Sequence, residues 1–232
     1  MTEGKMLRHK FDDELLHLQD EVLLLGSQVE KALVQSVDGL KRRDLAASRR
    51  VIAADRAINE KRYSIESEAI MVIATQQPMA GDMRLLAAVI EIITELERMG
   101  DYAKGIARIN LALGPEPLIA PLIDLPVMAD KACAMLRQAL DAFIRRDVGL
   151  ARAIPKQDDE VDVLYNQFYR VMLSYILSDP PTLGQVTYLM WAAHNLERAA
   201  DRVTNICERV AFTVTGQMEE FDVDHSNLES LA

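Results

Sequence analysis

The sequence is poor in the residues that build sheets, disulfide frameworks and zinc sites. Aromatic residues make up only 5% of the 232 positions, and the chain has 10 Gly, 8 Pro and 2 Cys. Few aromatics and few helix breakers favour helix over sheet. Cys133 and Cys207 have neither metal-site spacing nor enough partners for a disulfide framework, so they are expected to be buried free thiols.

Net positive charge and long apolar runs are also missing. The formal net charge is −10 and the isoelectric point is near 4.9, so nucleic acid would be repelled and is not an expected partner. The most apolar stretch, Leu85 to Thr94, contains Glu91 and has about half the length of a membrane-spanning helix. The N-terminus lacks the apolar core of a signal peptide. We therefore expect a soluble, cytoplasmic protein.

What the chain does contain is an internal repeat. Residues 33–55 and 136–158 match at 8 of 23 positions with a constant offset of 103. The offset falls to 100 further on, where LERMGD at residues 96–101 is followed by LERAAD at 196–201. Chance would give about one or two identities in such a window, so a duplicated unit is the better explanation.

Each copy contains three helical segments. Apolar residues recur at spacings of three and four from Leu15 to Leu40, as on one face of a helix. Asp44 and its counterpart Asp147 are expected to cap the second helix of each copy, and Asp82 the third helix of the first copy. Six long helices joined by short turns predict an all-α fold of two tandem, similar three-helix bundles, with one continuous six-helix bundle as the alternative.

The predicted domain organisation has five parts. They are a flexible N-terminus at residues 1–10, a first bundle at 11–113, a proline-rich linker at 114–126, a second bundle at 127–216 and an acidic, mobile tail at 217–232.

Both copies carry a carboxylate pair on the third helix. Glu97 and Asp101 in the first copy, and Glu197 and Asp201 in the second, are four residues apart, so each pair shares one helix face. The chain has 36 acidic residues, which gives about five such pairs by chance. Recurrence at the same place in both copies is what distinguishes these two.

A second polar pair lies on the preceding helix of each copy. It consists of Asp55 and Asn59 in the first copy and of Asp158 and Asp162 in the second. Asn59 comes 19 residues before the turn at residue 78, and the third-helix glutamate comes 19 after it. The corresponding separations from residue 180 are 18 and 17. In antiparallel helices such positions are level, so the two pairs of each copy are expected to face each other.

Clustered carboxylates repel one another by ~1 kcal/mol per pair even in water, and a bound cation would relieve this. Oxygen ligands without His or Cys suit Mg²⁺, Mn²⁺ or iron better than structural zinc. The small residues Gly100, Ala199 and Ala200 would let a metal or a neighbouring backbone approach closely. The alternative is that the acids are solvated and form surface ion pairs with Arg98 and Arg198.

Two other kinds of function stay open at this point. A diiron enzyme needs two Glu-x-x-His motifs, and only Glu14 with His17 matches that pattern, so a helical metal-carboxylate enzyme is a weaker hypothesis. His194 could serve a histidine phosphotransfer module, but Glu197 nearby would repel a phosphoryl group. No glycine-rich phosphate loop or Ser-His-Asp arrangement is evident.

The motifs together resemble the PhoU family of bacterial phosphate-signalling regulators. The resemblance rests on the doubled LERMGD and LERAAD segments, the upstream polar pairs and QQPMAGDMRLL at residues 76–86, and it extends over about residues 12–215. It implies two three-helix bundles, no catalytic activity and a cytoplasmic, often dimeric protein that represses the phosphate-starvation response.

The resemblance also implies partners and a metal. The expected partners are the ATPase of the phosphate ABC transporter and a phosphate-responsive sensor histidine kinase, and the protein would approach the membrane only through them. The expected cofactor is a divalent or trivalent metal: Mg, Mn, Fe or Zn. The implied ligands form two sites: Asp55, Asn59, Glu97 and Asp101 in site one, and Asp158, Asp162, Glu197 and Asp201 in site two.

Overall fold

The fold is built from long helices. The computed structural model describes residues 3–221, with side chains from His9 onward, and this part of the chain contains seven α-helices and no strand. The helices are α1 (Glu3–Arg42), α2 (Leu45–Gln76), α3 (Ala80–Leu113), α4 (Asp124–Arg145), α5 (Val148–Ala153), α6 (Asp158–Ser178) and α7 (Leu183–Thr215). The predicted all-α class is confirmed.

Several predicted boundaries differ from the structure. Helix α1 already begins at Glu3, within the N-terminal segment that was expected to be flexible. The linker is shorter than expected, because α4 already begins at Asp124. Of the expected mobile tail, residues 217–221 are described: Glu219 pairs with Arg152 through 2.7 Å and 3.0 Å hydrogen bonds, and Phe221 packs against the core. Residues 1–2 and 222–232 lie outside the described residues.

Two of the three expected helix caps are confirmed. Asp44 accepts a 2.8 Å hydrogen bond from the backbone N–H of Ala47, and Asp147 accepts a 2.9 Å bond from that of Leu150. The expectation for Asp82 was wrong. The extended residue Met79 occupies the N-cap of α3, and Asp82 lies in the first helical turn, because the helix begins immediately after the Pro78 turn.

Each bundle has three helical arms. The second arm of the second bundle is interrupted, whereas its counterpart in the first bundle, α2, runs unbroken for 32 residues. A 3₁₀ turn at Ile154–Gln157 separates α5 from α6. Pro155 is the cause, because proline lacks the N–H that an α-helix needs and clashes with the preceding turn; the equivalent residue in α2 is Ile52. As a result Asp158 begins α6, whereas Asp55 lies inside α2.

The two bundles share one core. Helices α1 to α3 pack together, as do α4 to α7, and the bundles join where α3 packs along α7 and α1 packs against α4. Their buried apolar side chains form a single continuous cluster. The prediction of two tandem three-helix bundles is therefore confirmed, with the addition that they are fused side by side.

The contact between α3 and α7 is reciprocal. Glu95 accepts hydrogen bonds from Asn205, at 3.2 Å, and Arg202, at 3.4 Å. At the repeat offset of 100, Glu95 and Asn205 correspond to Asn195 and Gly105. Those two also meet: a Cβ placed on Gly105 would lie 3.2 Å from the Asn195 side-chain nitrogen. The third helices of the two copies thus face each other through equivalent surfaces.

Candidate functional site

Site one lies where α2 and α3 run antiparallel, as predicted. Asp55 is 7% exposed, whereas the side chain of Asp101 is half-exposed. Asn59 donates a 3.3 Å hydrogen bond to Asp55 from the following turn of α2. Burial, together with Asp101 and Asp55, raises the pKa of Glu97, an effect that Arg62 and Arg98 oppose. The four predicted residues therefore do converge.

Site one also contains a cation that sequence analysis missed. Lys104 donates a 2.6 Å hydrogen bond to Asp55 and a 3.2 Å bond to Asp101, so its ammonium bridges α2 and α3. The bond to Asp55 is the main reason that the pKa of Lys104 is raised. The signal available in the sequence was position: Lys104 is three residues after Asp101 and seven after Glu97, on the same face of α3.

Site two lies between α6 and α7, where Asp158 is the most deeply buried of the four predicted residues. Asp158 is only 1% exposed, and neither of its oxygens has a hydrogen-bond partner within the described part of the chain. Burial, and after it the charges of Asp201, Asp162 and Glu197, raise the pKa of Asp158 to about 8. A buried carboxylate without a donor or a counter-ion is costly in free energy.

The charged form of Glu197 in site two is also destabilised by its surroundings. Burial, followed by Asp201 and Asp162, raises its pKa to about 7, against the opposing charges of Arg198 and Arg202. His194 places its Nδ1 3.0 Å from the Glu197 carboxylate, but that contact lacks hydrogen-bond geometry, and the nearer Glu197 oxygen has no hydrogen-bond partner among the described residues.

The arginines beside site two point to other partners. Arg198 stacks over the ring of Tyr102, 4.9 Å from its centroid, and Arg202 contacts Glu95 of α3. The position equivalent to Lys104 is occupied by Thr204. Thr204 is 6% exposed, and its hydroxyl makes no hydrogen bond within residues 3–221.

The small residues in the third helices have a packing role. A Cβ placed on Gly100 would lie 3.2 Å from the side chain of Ile58 on α2, which is tighter than ordinary contact. In the second copy the equivalent pair is Ala200 and Val161. The residue on the third helix is one carbon larger than Gly100, and its partner is one carbon smaller than Ile58. The glycine therefore lets α2 approach α3 closely. Of the two roles expected for the small residues, close approach of a metal or of a neighbouring backbone, this is the second.

The donor set of site two fits a hard cation, although its side chains would have to move. Asp158, Asp162, Glu197 and Asp201 supply only oxygen ligands. In the part of the chain with described side chains, no three His, Cys, Asp or Glu groups are already placed to hold a metal ion. Ligation would turn these carboxylates toward one another, which their mutual repulsion opposes until a cation is present.

Comparison with known proteins matches both copies of the repeat. The family model described as the PhoU domain matches residues 22–109 and again residues 125–210. The chain belongs to the PhoU family. The family resemblance inferred from the sequence motifs is therefore confirmed, and each PhoU domain contains the four predicted residues of one site.

Relatives and solved structures agree over nearly the whole chain. The "phosphate-specific transport system accessory protein PhoU homolog" of Clostridium acetobutylicum is 32% identical, over 94% of this chain and 100% of the relative. The PhoU accessory protein of Escherichia coli K12 is also 32% identical, over 92% of this chain and 89% of its own length. The crystal structure of PhoU from Pseudomonas aeruginosa has a TM-score of 0.83 at 31% identity, covering 89% of this chain and all of that one.

Within residues 3–221, no helix has a stretch long and apolar enough to cross a lipid bilayer.

Proposed function

We propose that this protein is a non-enzymatic negative regulator of phosphate uptake and of the phosphate-starvation response. The observation that carries the proposal is the match of two PhoU domains over most of the chain to relatives named as accessory proteins of phosphate-specific transport. The family is associated with regulation rather than turnover, and the acidic surface favours protein partners over nucleic acid.

The proposed partners are the ATPase of a phosphate ABC transporter and a phosphate-responsive sensor histidine kinase, with the protein acting in the cytoplasm as a homodimer. Exposed apolar side chains on α2 and α6, such as Met71 and Leu177, at 60% and 85% exposure, are available for protein contacts. Co-purification with each partner, and light scattering for the dimer, test these assignments separately.

The proposed cofactor is a metal ion held by the acidic residues between the second and third arms of a bundle. The predicted residues of both sites would hold it as oxygen ligands: Asp55, Asn59, Glu97 and Asp101 in site one, and Asp158, Asp162, Glu197 and Asp201 in site two. The metal would supply charge neutralisation and would fix α2 against α3 and α6 against α7, so that the surface presented to a partner is ordered. No chemical turnover is assigned to it.

The two alternative functions gain no support from the geometry. His17, of the single Glu-x-x-His motif, lies 3.5 Å from Glu68 on α2 and belongs to neither site. His194 lies beside the Glu197 carboxylate, where a phosphoryl group would meet like charge.

Deletion of the gene tests the regulatory proposal. At high external phosphate, the deletion strain is expected to take up phosphate faster and to express phosphate-starvation genes, and a plasmid copy should reverse both effects. Unchanged uptake and unchanged expression would refute the proposed function, whatever the protein's metal content.

A further inference from the structure

A short segment after α7 folds back on the second bundle. Residues 217–221, here called the strap, follow Gly216, the C-cap of α7. They belong to no helix, and within the described residues they make no backbone–backbone hydrogen bond to one. The strap is therefore held through side chains, and its position depends on its sequence.

The strap is bound by matching groups on α5 and α7. Arg152 on α5 holds the Glu219 carboxylate in its guanidinium fork, with hydrogen bonds of 2.7 Å, 2.9 Å and 3.0 Å. Glu208 on α7 accepts a 2.9 Å hydrogen bond from the backbone N–H of Phe221, and the ring of Phe221 packs against the core. The surface thus receives a carboxylate and an aromatic ring two positions apart.

The groups that receive the strap are held in place by helix packing. Ala151, next to Arg152, is fully buried in α5, which packs against α7. Arg209, which contacts the Met218 sulfur at 3.2 Å, is fixed on its other side by a 2.8 Å ion pair with Glu91 on α3. The receiving surface is therefore built by the two bundles and does not depend on the strap.

The first copy holds the segment after its third helix in a different way. The four positions equivalent to Glu208, Arg209, Glu219 and Phe221 carry Arg108, Ile109, Ile119 and Pro121. Arg43 there donates to the backbone carbonyls of Gly114 and Glu116. Closing the end of a bundle thus requires neither a carboxylate nor an aromatic ring, and both are features of the strap alone.

The strap is also held loosely enough to leave. The side chains of Arg152 and Glu219 are 51% and 26% exposed, and an ion pair this open to solvent contributes little to stability. Departure of the strap frees the Arg152 guanidinium, whose planar fork matches a carboxylate, beside the apolar place of Phe221. This charge complementarity favours an acidic ligand.

We propose that the surface of α5 and α7 beneath the strap is a docking site for an acidic peptide segment of a partner protein, with a carboxylate two residues before an aromatic side chain. The strap is an internal competitor that occupies this site in the free protein. Apparent affinity for the partner is then reduced by the fraction of molecules in which the strap is bound. The inference rests on the proposed regulatory function for its biological use.

A peptide added in trans tests the docking site. The probe is a fluorescein-labelled, C-terminally amidated GQMEEF, the sequence of residues 216–221, and its binding to the full chain is followed by fluorescence anisotropy. Glu219→Ala/Phe221→Ala, which empties the site, should bind the peptide about tenfold or more tightly than wild type, because a tethered strap competes at high effective concentration. Equal binding to both proteins, or no binding to the double variant, would overturn the proposal.

A charge exchange tests the role of Arg152. Added to the double variant, Arg152→Glu should abolish binding of GQMEEF, and the peptide with lysine in place of Glu219 should restore it. Arg49→Glu makes the same change at the equivalent position of the first copy and should leave binding unchanged. Circular dichroism melting shows that each variant is folded. Loss of binding in a folded Arg152→Glu variant without rescue by the lysine peptide would overturn the proposal.

The outcomes separate the docking site from the regulatory function. Failure of the peptide to bind refutes the docking site and leaves the regulatory proposal to the deletion experiment. Peptide binding together with a deletion that changes neither uptake nor gene expression supports the docking site and refutes the proposed function.

Discussion

At the scale of single residues, the carboxylate of Asp158 is buried and has no hydrogen-bond partner among the described residues. The pKa of an aspartate is near 3.8 in an open environment and rises to about 8 for Asp158, mainly through burial. In the folded, metal-free protein this side chain therefore holds its proton over a pH range in which the unfolded chain has lost it. Folding is then coupled to proton uptake.

Stability without metal should consequently fall as the pH rises from about 4 to about 8. A raised acid pKa favours the folded state below the unfolded value, and that advantage disappears as the pH passes the folded value. Asp158→Asn should stabilise the chelator-treated protein by about 2–3 kcal/mol at pH 8.5 and have little effect at pH 4.5.

Urea denaturation at the two pH values measures this difference, with the exposed Asp38→Asn as control. An equal effect of Asp158→Asn at both pH values would show that burial does not raise the pKa of this group.

The contact between Gly100 and Ile58 gives a second prediction at this scale. Gly100→Ala adds a methyl group 3.2 Å from Ile58, so overpacking offsets the helix propensity gained. Ile58→Val makes room, and the pair then matches Val161 with Ala200 in the second copy.

The free energy of unfolding of the double variant should therefore be about 1 kcal/mol higher than the sum of the two separate effects would give. A double-mutant cycle by urea denaturation measures the coupling. Additive effects would mean that α2 and α3 shift apart freely at this point.

The site residues differ in how far the sequence could predict them. The eight acidic and amide positions could be found because helix periodicity and the repeat place them on facing sides of two arms. Lys104 could not be assigned in the same way, since a long, flexible side chain can point to several partners and its direction depends on packing. The burial of Asp158 was hidden for a related reason, since the exposure of a side chain depends on tertiary packing; its counterpart Asp55, in an unbroken helix, is buried as well.

At the scale of elements, the capping aspartates fix where the second arm of each bundle begins. Asp44→Ala and Asp147→Ala each remove an acceptor from a helix N-terminus and should destabilise the protein by about 1 kcal/mol. Urea denaturation measures both, and Asp38→Ala, which removes only an exposed ion pair, should have an effect near zero. Equal losses in all three variants would argue against a capping contribution.

The arms themselves could be predicted from spacings of three and four, because each presents one apolar face to the core. The interruption between α5 and α6 also had a signal in the sequence, since Pro155 falls inside a helical pattern. The start of α3 had no such signal in the sequence. Asp82 was expected to be the N-cap, but the N-cap is the extended residue Met79, three residues earlier.

At the scale of the whole molecule, the bundles should unfold together. Their apolar side chains form one cluster, and Glu95 on α3 is bonded to Arg202 and Asn205 on α7. The side chain of Glu95 is 12% exposed, so its loss removes an ion pair from the partly buried Arg202.

Glu95→Ala should therefore lower the free energy of unfolding by about 2 kcal/mol without splitting the transition. Scanning calorimetry with chelator present measures both features. Glu91→Ala is the matched control, because Glu91 also bonds across to α7, through Arg209, but is 53% exposed and should contribute little. Two separate transitions would contradict a shared core.

The lysine at position 104 and the threonine at position 204 have a further consequence in genetic terms. Lysine and threonine codons can differ by one nucleotide, so a single base substitution is enough to add or remove this positive charge in one half of the duplicated gene. Fusion of the two halves into one chain allows each to mutate separately. The two copies of the repeat can in this way come to differ in charge at this position while they keep the same fold.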